Sequence, residues 1–347
     1  MTIGAPMQKC VFRVLHSLVL LLSFAVFAFS GVSVSSPGSG TSVQNPVHFV
    51  AAATTSCSKG VGAIGIYDNY KLITFLKGAK LDTSIYLGSG LHSHTTVQSW
   101  DNCGGYSKSN LTLNVNSKTF YSLEQSGGWL GYGELAPVYD ICTACRPLVE
   151  WGMKQGITSP VLNGTSTRHD LGGTVPYSDA LWVNHVIGDG STQGLPDSSG
   201  SLTGSIHNLV YDVYFYGPSL SVSYALEFDI GQYGGGRGWL FGTMCRIGGN
   251  KQWAVWDNPN NKWVSTGIPC DAVGGKWNHL VMKFQRTSDN HLLYQWIKLN
   301  GVTHNLNWYN NSIPSNWHGV VVNFQLDGNY IQQDYSVYLD NMHITYY

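Results

Sequence analysis

Charge is what this 347-residue chain has least of. Asp, Glu, Lys and Arg make up 11% of it, and the formal net charge is −1. Nucleic-acid binding draws on a basic stripe that neutralises phosphates, and the sequence has none. An acidic polymer would also call for a basic groove, so a near-neutral chain argues against one. Glutamate is scarcer still: Glu124, Glu134, Glu150 and Glu227 are the whole set, and any two-glutamate mechanism must draw on them. After the first 30 positions no segment is apolar enough to span a bilayer, which takes about 20 residues. The glycine-rich run Gly127–Gly133 lacks the Gly-Lys-Ser/Thr ending of a phosphate loop and has no helical pattern after it.

Glycine (41) and the aromatics (12 Trp, 20 Tyr, 12 Phe) are abundant instead. With Ser, Thr and Asn, that mix favours many short strands joined by tight turns. The length suits two domains better than one. At the N-terminus, Lys9 and Arg13 precede an apolar stretch from Leu15 to Phe29, and Ala28-Phe29-Ser30 fits a small-x-small cleavage rule. Residues 1–30 therefore read as an export signal, and the protein is expected to be secreted, extracellular or at the cell surface, with no membrane segment after cleavage.

Seven cysteines less Cys10 of the signal leaves six, an even number in an oxidising compartment. The economical pairing is Cys57–Cys103, Cys142–Cys145 and Cys245–Cys270. For Cys142-Thr-Ala-Cys145 a zinc site would want two further ligands nearby, and a redox motif would want a helix in a βαβ unit. A structural disulfide is the simpler reading.

Residues 31–116 carry strand-like runs at short intervals, among them Val47–Ala53, Ala63–Tyr67, Thr83–Leu87, His94–Trp100 and Asn110–Val115. Turn formers separate them, the pattern of an antiparallel sandwich. Val32-Ser33-Val34-Ser35-Ser36-Pro37, Pro46–Ala51, Ile66–Asn69 and Val97–Asp101 resemble the Ig-like domains that precede catalytic or binding modules in secreted bacterial proteins. The resemblance implies a spacer or adhesion unit. Cys57 and Cys103 depart from the antibody pattern and would tie two loops. His92 and His94 share a strand face and are expected to be solvated.

Residues 116–175 are less regular. Ser122–Gln125 is read as a strand, Gly127–Gly133 as an irregular loop and Pro147–Gln155 as a short helix. From Ala180 onward strand follows strand: Asn208–Tyr216, Tyr224–Gln232, Trp239–Ile247, Gln252–Trp256, Lys262–Thr266, Trp277–Arg286, Leu292–Leu299, Gly319–Leu326 and Tyr335–Tyr346. Long alternating strands imply two stacked antiparallel sheets. The chain is thus expected to be all-β.

The strand Tyr224–Gln232 has two unlike faces. Leu226, Phe228 and Ile230 point one way, Glu227 and Asp229 the other. Two carboxylates on one face repel each other and call for a reason, be it a sugar, a metal, a proton shuttle or plain hydration. Leu226-Glu227-Phe228-Asp229, Trp253-x-x-Trp256-Asp257, Trp277–Leu280, Phe324–Asn329 and Val337–Asn341 resemble the concanavalin A-like lectin/glucanase jelly roll, over residues 117–347. That fold hosts binders, hydrolases and lyases, so it does not fix the activity.

Three chemistries compete for this strand. The resemblance to laminarinase-like retaining glucanases implies Glu227 as nucleophile and Asp229 as its support, but Gln232 stands where the acid/base glutamate belongs. An amide cannot deliver a proton to a leaving oxygen, and Glu124, Glu134, Asp212 and Asp327 are the substitutes. The resemblance to legume-type lectins implies a Glu-x-Asp metal strand, but neither acid nor histidine follows at Gly231–Arg237. No metal is therefore expected, and structural calcium has no support in the sequence. Lyase chemistry would recruit Gln232, His279 and the Tyr214/Tyr216 face. The structural alternative is a strand face that is hydrated or paired with Arg or Lys.

The reading reached is a monomeric, secreted, carbohydrate-binding, lectin-like protein whose partner is a polysaccharide or glycan. Its ligand contacts would be Glu227, Asp229, Gln232, Tyr214, Trp239, Trp256, Gln325 and Asp327, with carboxylates and amides taking hydroxyls and aromatics taking sugar faces. The alternatives are a glycoside hydrolase, with Glu227 and Asp229 as its catalytic residues, and an adhesion or structural protein without a sugar site. A second carboxylate across a groove from Glu227 is the feature that separates them.

Overall fold

The structure is a computed structural model describing residues 31–134 and 148–347. The export signal and the Cys142–Cys145 pair lie outside the described residues. Every layer is sheet. The first eight strands are β1 (Gly31–Ser36), β2 (Thr41–Val43), β3 (Val47–Thr54), β4 (Val61–Asp68), β5 (Lys71–Lys77), β6 (Lys80–Ile85), β7 (Gly90–Asp101) and β8 (Tyr106–Val115). They form a three-stranded sheet, β1-β3-β6, and a five-stranded sheet, β2-β8-β7-β4-β5. Alternation on β3 buries Val47, Phe49, Ala51 and Ala53 against Ile64, Ile66, Val97 and Leu113. The Cys57–Cys103 disulfide ties the loop after β3 to the β7–β8 loop, with its Cα atoms 6.0 Å apart.

His92 and His94 do not behave alike, which corrects the expected solvated pair. A register irregularity between His92 and Thr95 separates them. His92 is buried and bonded to the Asp68 carboxylate and the Gly88 carbonyl, while His94 is exposed and stacks on Tyr70.

The second sandwich begins with β9 (Lys118–Phe120), a single 3-10 turn at Leu123–Gln125, β10 (Leu130–Glu134), β11 (Val149–Ile157), β12 (Ser166–Gly173) and β13 (Asp179–Gly188). The one short helix, α1 (Ser201–Ser205), precedes β14 (Asn208–Tyr216) and β15 (Ser223–Gly234). Then come β16 (Arg237–Phe241), β17 (Thr243–Cys245), β18 (Gln252–Asp257), β19 (Lys262–Pro269), β20 (Trp277–Arg286), β21 (His291–Leu299), β22 (Val302–Asn311), β23 (Ile313–Pro314), β24 (Gly319–Gly328) and β25 (Tyr335–Tyr346). One sheet runs β10-β13-β24-β15-β17-β18-β19, with β16 and β23 attached at the end of β15. The other runs β11-β12-β25-β14-β20-β21-β22, with β9 on β25. The Cys245–Cys270 disulfide ties β17 to the segment after β19.

Several local expectations fail for identifiable reasons. The Pro147–Gln155 helix is instead edge strand β11, paired with β12 from Val149↔Gly173 to Ile157↔Ser166; Gly152 and Gly156 weaken any helix there. Ser122–Gln125 is a turn rather than a strand, with Ser122 in the left-handed region at φ 47°. The Gly127–Gly133 loop becomes strand from Leu130 onward. A Cβ on Gly131 or Gly133 would come within 2.5 Å or 2.3 Å of the Trp151 ring, so these glycines let β10 pass under a tryptophan. Trp239–Ile247 is broken at Gly242 into β16 and β17.

The core lies between the two large sheets. Phe228 of β15 is fully buried and meets Tyr211 and Phe215 of β14 and Phe324 of β24 at centroid distances of 6.0, 5.3 and 5.3 Å. The two sandwiches touch through Tyr86, whose hydroxyl donates to Asp212 at 2.7 Å, and through Tyr121, whose hydroxyl donates to the Leu87 carbonyl at 2.8 Å. Emptying the core at its centre should be costly. Phe228→Ala is expected to lower unfolding stability by about 3–5 kcal/mol, read as a drop in urea midpoint with the denaturant slope unchanged.

Candidate functional site

Strand β15 sits in the middle of the nine-stranded sheet, between β24 and β17. Its inner face makes the core, so its outer face carries Glu227 and Asp229 onto the sheet surface. The register places Gln325 opposite Glu227 and Asn323 opposite Asp229. One strand further, Asp179 of β13 faces Asp327, and Glu134 of β10 faces Asp179. Acids from four strands thus share one face. Glu227, Asp229, Asp327 and Asp179 floor a cavity of about 370 Å³ lined also by Tyr177, Tyr224, Leu240, Met244, Trp256 and Trp263.

Two aromatic pairs wall the cavity. Trp256 and Trp263 meet edge-to-face at 5.1 Å, and Tyr177 and Tyr224 at 5.9 Å. All four rings are partly exposed. Gly242 makes the tryptophan wall possible, because a Cβ there would lie 2.8 Å from the Cβ of Trp256.

The floor is an unusual electrostatic environment. Glu227, Asp229 and Asp327 are 6%, 6% and 4% exposed, and among the described residues no Lys or Arg ion pair reaches them, the Arg168–Asp170 pair lying on the other sheet. The face is therefore largely buried and, among the described residues, not cation-paired. Burial, then the charges of Asp327, Asp229 and Asp179, and a hydrogen bond to Asp327 hold Glu227 well above the usual carboxylate range. Burial pushes Asp229 up to about 7, against the pull of the Thr243 N–H, which donates to its Oδ1 at 2.8 Å. Asp327 also rises to about 7 through burial, while bonds from Gln325 and Glu227 draw it down. Burial and the nearby Asp327 and Glu134 raise Asp179 to about 9. Burial and the mutual charge of Glu227 and Asp327 thus disfavour ionising both acids together.

Of the residues singled out in the sequence, Glu227, Asp229, Trp256, Gln325 and Asp327 come together here. Three do not. Gln232 differs in parity from Glu227, so it lies on the core face; its amide donates to the Thr203 and Ile206 carbonyls and pins α1. Trp239 is 2% exposed, bonded to the Asn290 carbonyl and covered by Arg286. Tyr214 lies on the opposite sheet, stacked on His279 at 4.0 Å. Of the substitute acids, Glu124 is buried under the Met342 N–H and Asp212 sits at the junction of the sandwiches. Asp179, Tyr177 and Tyr224 were not singled out; the Asp179-x-Leu181-x-Val183 alternation was the available signal for the first.

The chemistry open to this floor is proton donation and hydrogen bonding. Among the described residues the groove acids do not bring three ligand atoms within 4.8 Å of one another.

The sign of the pH effect follows from the direction of the shifts. These acids bind protons more tightly folded than unfolded, so the stability they contribute is full below about pH 4 and is lost as pH rises through about 7. Asp327→Asn should raise stability at pH 8 by about 1 kcal/mol or more, and should change it far less at pH 4.5. Urea midpoints at both pH values check this.

No family model matches the chain, and no curated protein matches it. Solved structures do. A structure from work on carbohydrate-binding modules of the beta-sandwich superfamily is 9% identical, with a TM-score of 0.35, covering 90% of this chain and 96% of its own. Arcelin-5, a lectin-like defense protein from Phaseolus vulgaris, is 10% identical, with a TM-score of 0.32, covering 63% of this chain and 98% of its own. The metal-free form of lectin I-B4 from Griffonia simplicifolia is 10% identical, with a TM-score of 0.30, covering 62% and 98%. Superpositions this loose assign no residue and no activity to this chain.

Proposed function

We propose that the groove on the nine-stranded sheet binds a stretch of polysaccharide, and that the protein is a secreted, lectin-like binder. The observation that carries this reading is the pairing of two aromatic walls with a hydrogen-bonding floor in one cavity of about 370 Å³, within the range of ordinary ligand sites. Sugar rings offer apolar faces to Trp256, Trp263, Tyr177 and Tyr224 and hydroxyls to Glu227, Asp229, Asp327 and Gln325. Two disulfides fit an oxidising compartment. The first sandwich, Ig-like in this reading, serves as spacer.

A second reading, glycoside hydrolysis, is favoured by the raised carboxyls, since a general acid must still hold its proton near neutral pH. Against it, Gln232 stands at the acid/base position of the motif and lies on the core face, bonded to the Thr203 and Ile206 carbonyls, and an amide cannot protonate a leaving oxygen. Binding is therefore placed first.

Microarray or calorimetric screening against neutral β-glucans, mannans and galactans is expected to give binding that Trp256→Ala weakens about tenfold or more. No reducing ends should appear on prolonged incubation. Release of reducing sugar that Glu227→Gln abolishes would replace the first reading with the second, and absence of binding to any glycan would sink both.

A further inference from the structure

A second concavity, of about 250 Å³, opens where the two sandwiches meet, on the sheet opposite the groove. Tyr86 comes from the first sandwich; Tyr214, Trp296, Lys298, Asn341 and His343 come from the second. Its construction is specific. Opposite β14, strand β25 carries an extra residue, because Asp212 pairs with His343 and Tyr214 with Asp340. Asn341 takes the left-handed region at that bulge, φ 49°. Bulges and left-handed non-glycine residues inside strands commonly re-aim side chains at functional sites.

The polar groups here sort by whether they are already used. Asp212 lines the pocket at 5% exposure. Its Oδ1 accepts from His279 Nε2 and its Oδ2 from the Tyr86 hydroxyl, both at 2.7 Å. His279 is in turn held flat against Tyr214, at 4.0 Å and 3°. The Ser122 N–H donates to His343 Nδ1 at 3.1 Å, which leaves the proton of a neutral ring on Nε2. Burial keeps that ring neutral by pushing its pKa down. Among the described residues, the Lys298 ammonium and the Asn341 amide have no hydrogen-bond or ion-pair partner. The carboxylate of the pocket is satisfied from within; what remains available is an ammonium, an amide and an imidazole N–H, beside the half-buried Trp296 ring. A donor-rich site with an aromatic wall suits a ring that carries an anionic acceptor.

We propose that the junction pocket is a binding site for a carboxylate-bearing sugar residue, a uronate or similar acid, with Lys298 and Asn341 facing the carboxylate and Trp296 against the ring. It is separate from the groove and does not depend on the groove's being a sugar site. Its preference is opposite in charge, because the ionisable groups of the groove floor are acids.

Glucuronate and glucose, which share a ring and differ at C6, test it. Tryptophan indole N–H signals of the full chain are followed by NMR, with that of Trp296 assigned through Trp296→Phe. Glucuronate is expected to shift the Trp296 signal saturably while leaving Trp256 unmoved, and to bind at least about fivefold more tightly than glucose. Lys298→Gln, a surface change checked for folding by circular dichroism, should remove that preference, and so should raised salt. No saturable shift at Trp296 would overturn the proposal. Equal responses to the two sugars, or a preference that survives in folded Lys298→Gln, would do so as well.

Discussion

Everything in the second sandwich hangs on the two-faced strand β15. Strand geometry sends neighbouring side chains to opposite faces, so the same few residues must anchor the core and floor the groove. Phe228 locks β15 to the opposite sheet through aromatic contacts, and this fixes the height and tilt of Glu227 and Asp229 on the other side. The groove acids are therefore held by the core rather than, among the described residues, by ion-pair partners of opposite charge. A slip of one residue would exchange the faces and destroy both at once.

That arrangement accepts an electrostatic cost. Placing Glu227, Asp229, Asp327 and Asp179 side by side in poor contact with water is unfavourable to their charged forms, and no Lys or Arg among the described residues offsets it. Burial raises the pKa values of Glu227, Asp229 and Asp327, while the Thr243 N–H offsets part of the rise at Asp229. A floor of partly protonated acids can donate as well as accept, which suits a ligand made of hydroxyls. Functional sites are where such local costs persist, because the surrounding packing holds them in place.

The junction between the sandwiches shows a different solution. There each oxygen of Asp212 accepts one bond, from Tyr86 and from His279, so a single carboxylate clasps the two sandwiches together. The same residue type thus lines a groove on one sheet and serves as a structural clasp on the other. Neighbours on other strands, not the local sequence, set the difference.

The sequence by itself determined the all-β class and the bounds of several long strands: Asn208–Tyr216, Trp277–Arg286 and Tyr335–Tyr346 stand where alternation puts them. It also determined the two faces of β15, since period-2 alternation is a local property. Tertiary structure alone decided which distant strands lie beside it. Asp327 and Asp179 reach the Glu227 face only because β24 and β13 follow β15 in the sheet, an order that no local pattern encodes. Parity within one strand could have shown that Gln232 belongs to the core side; matching to a motif spacing hid it. Trp239 and Trp256 are alike in sequence and opposite in fate, one in the core and one at the groove. The break at Gly242 separates them, and where such a break leads depends on packing between two sheets that each draw strands from along the whole domain.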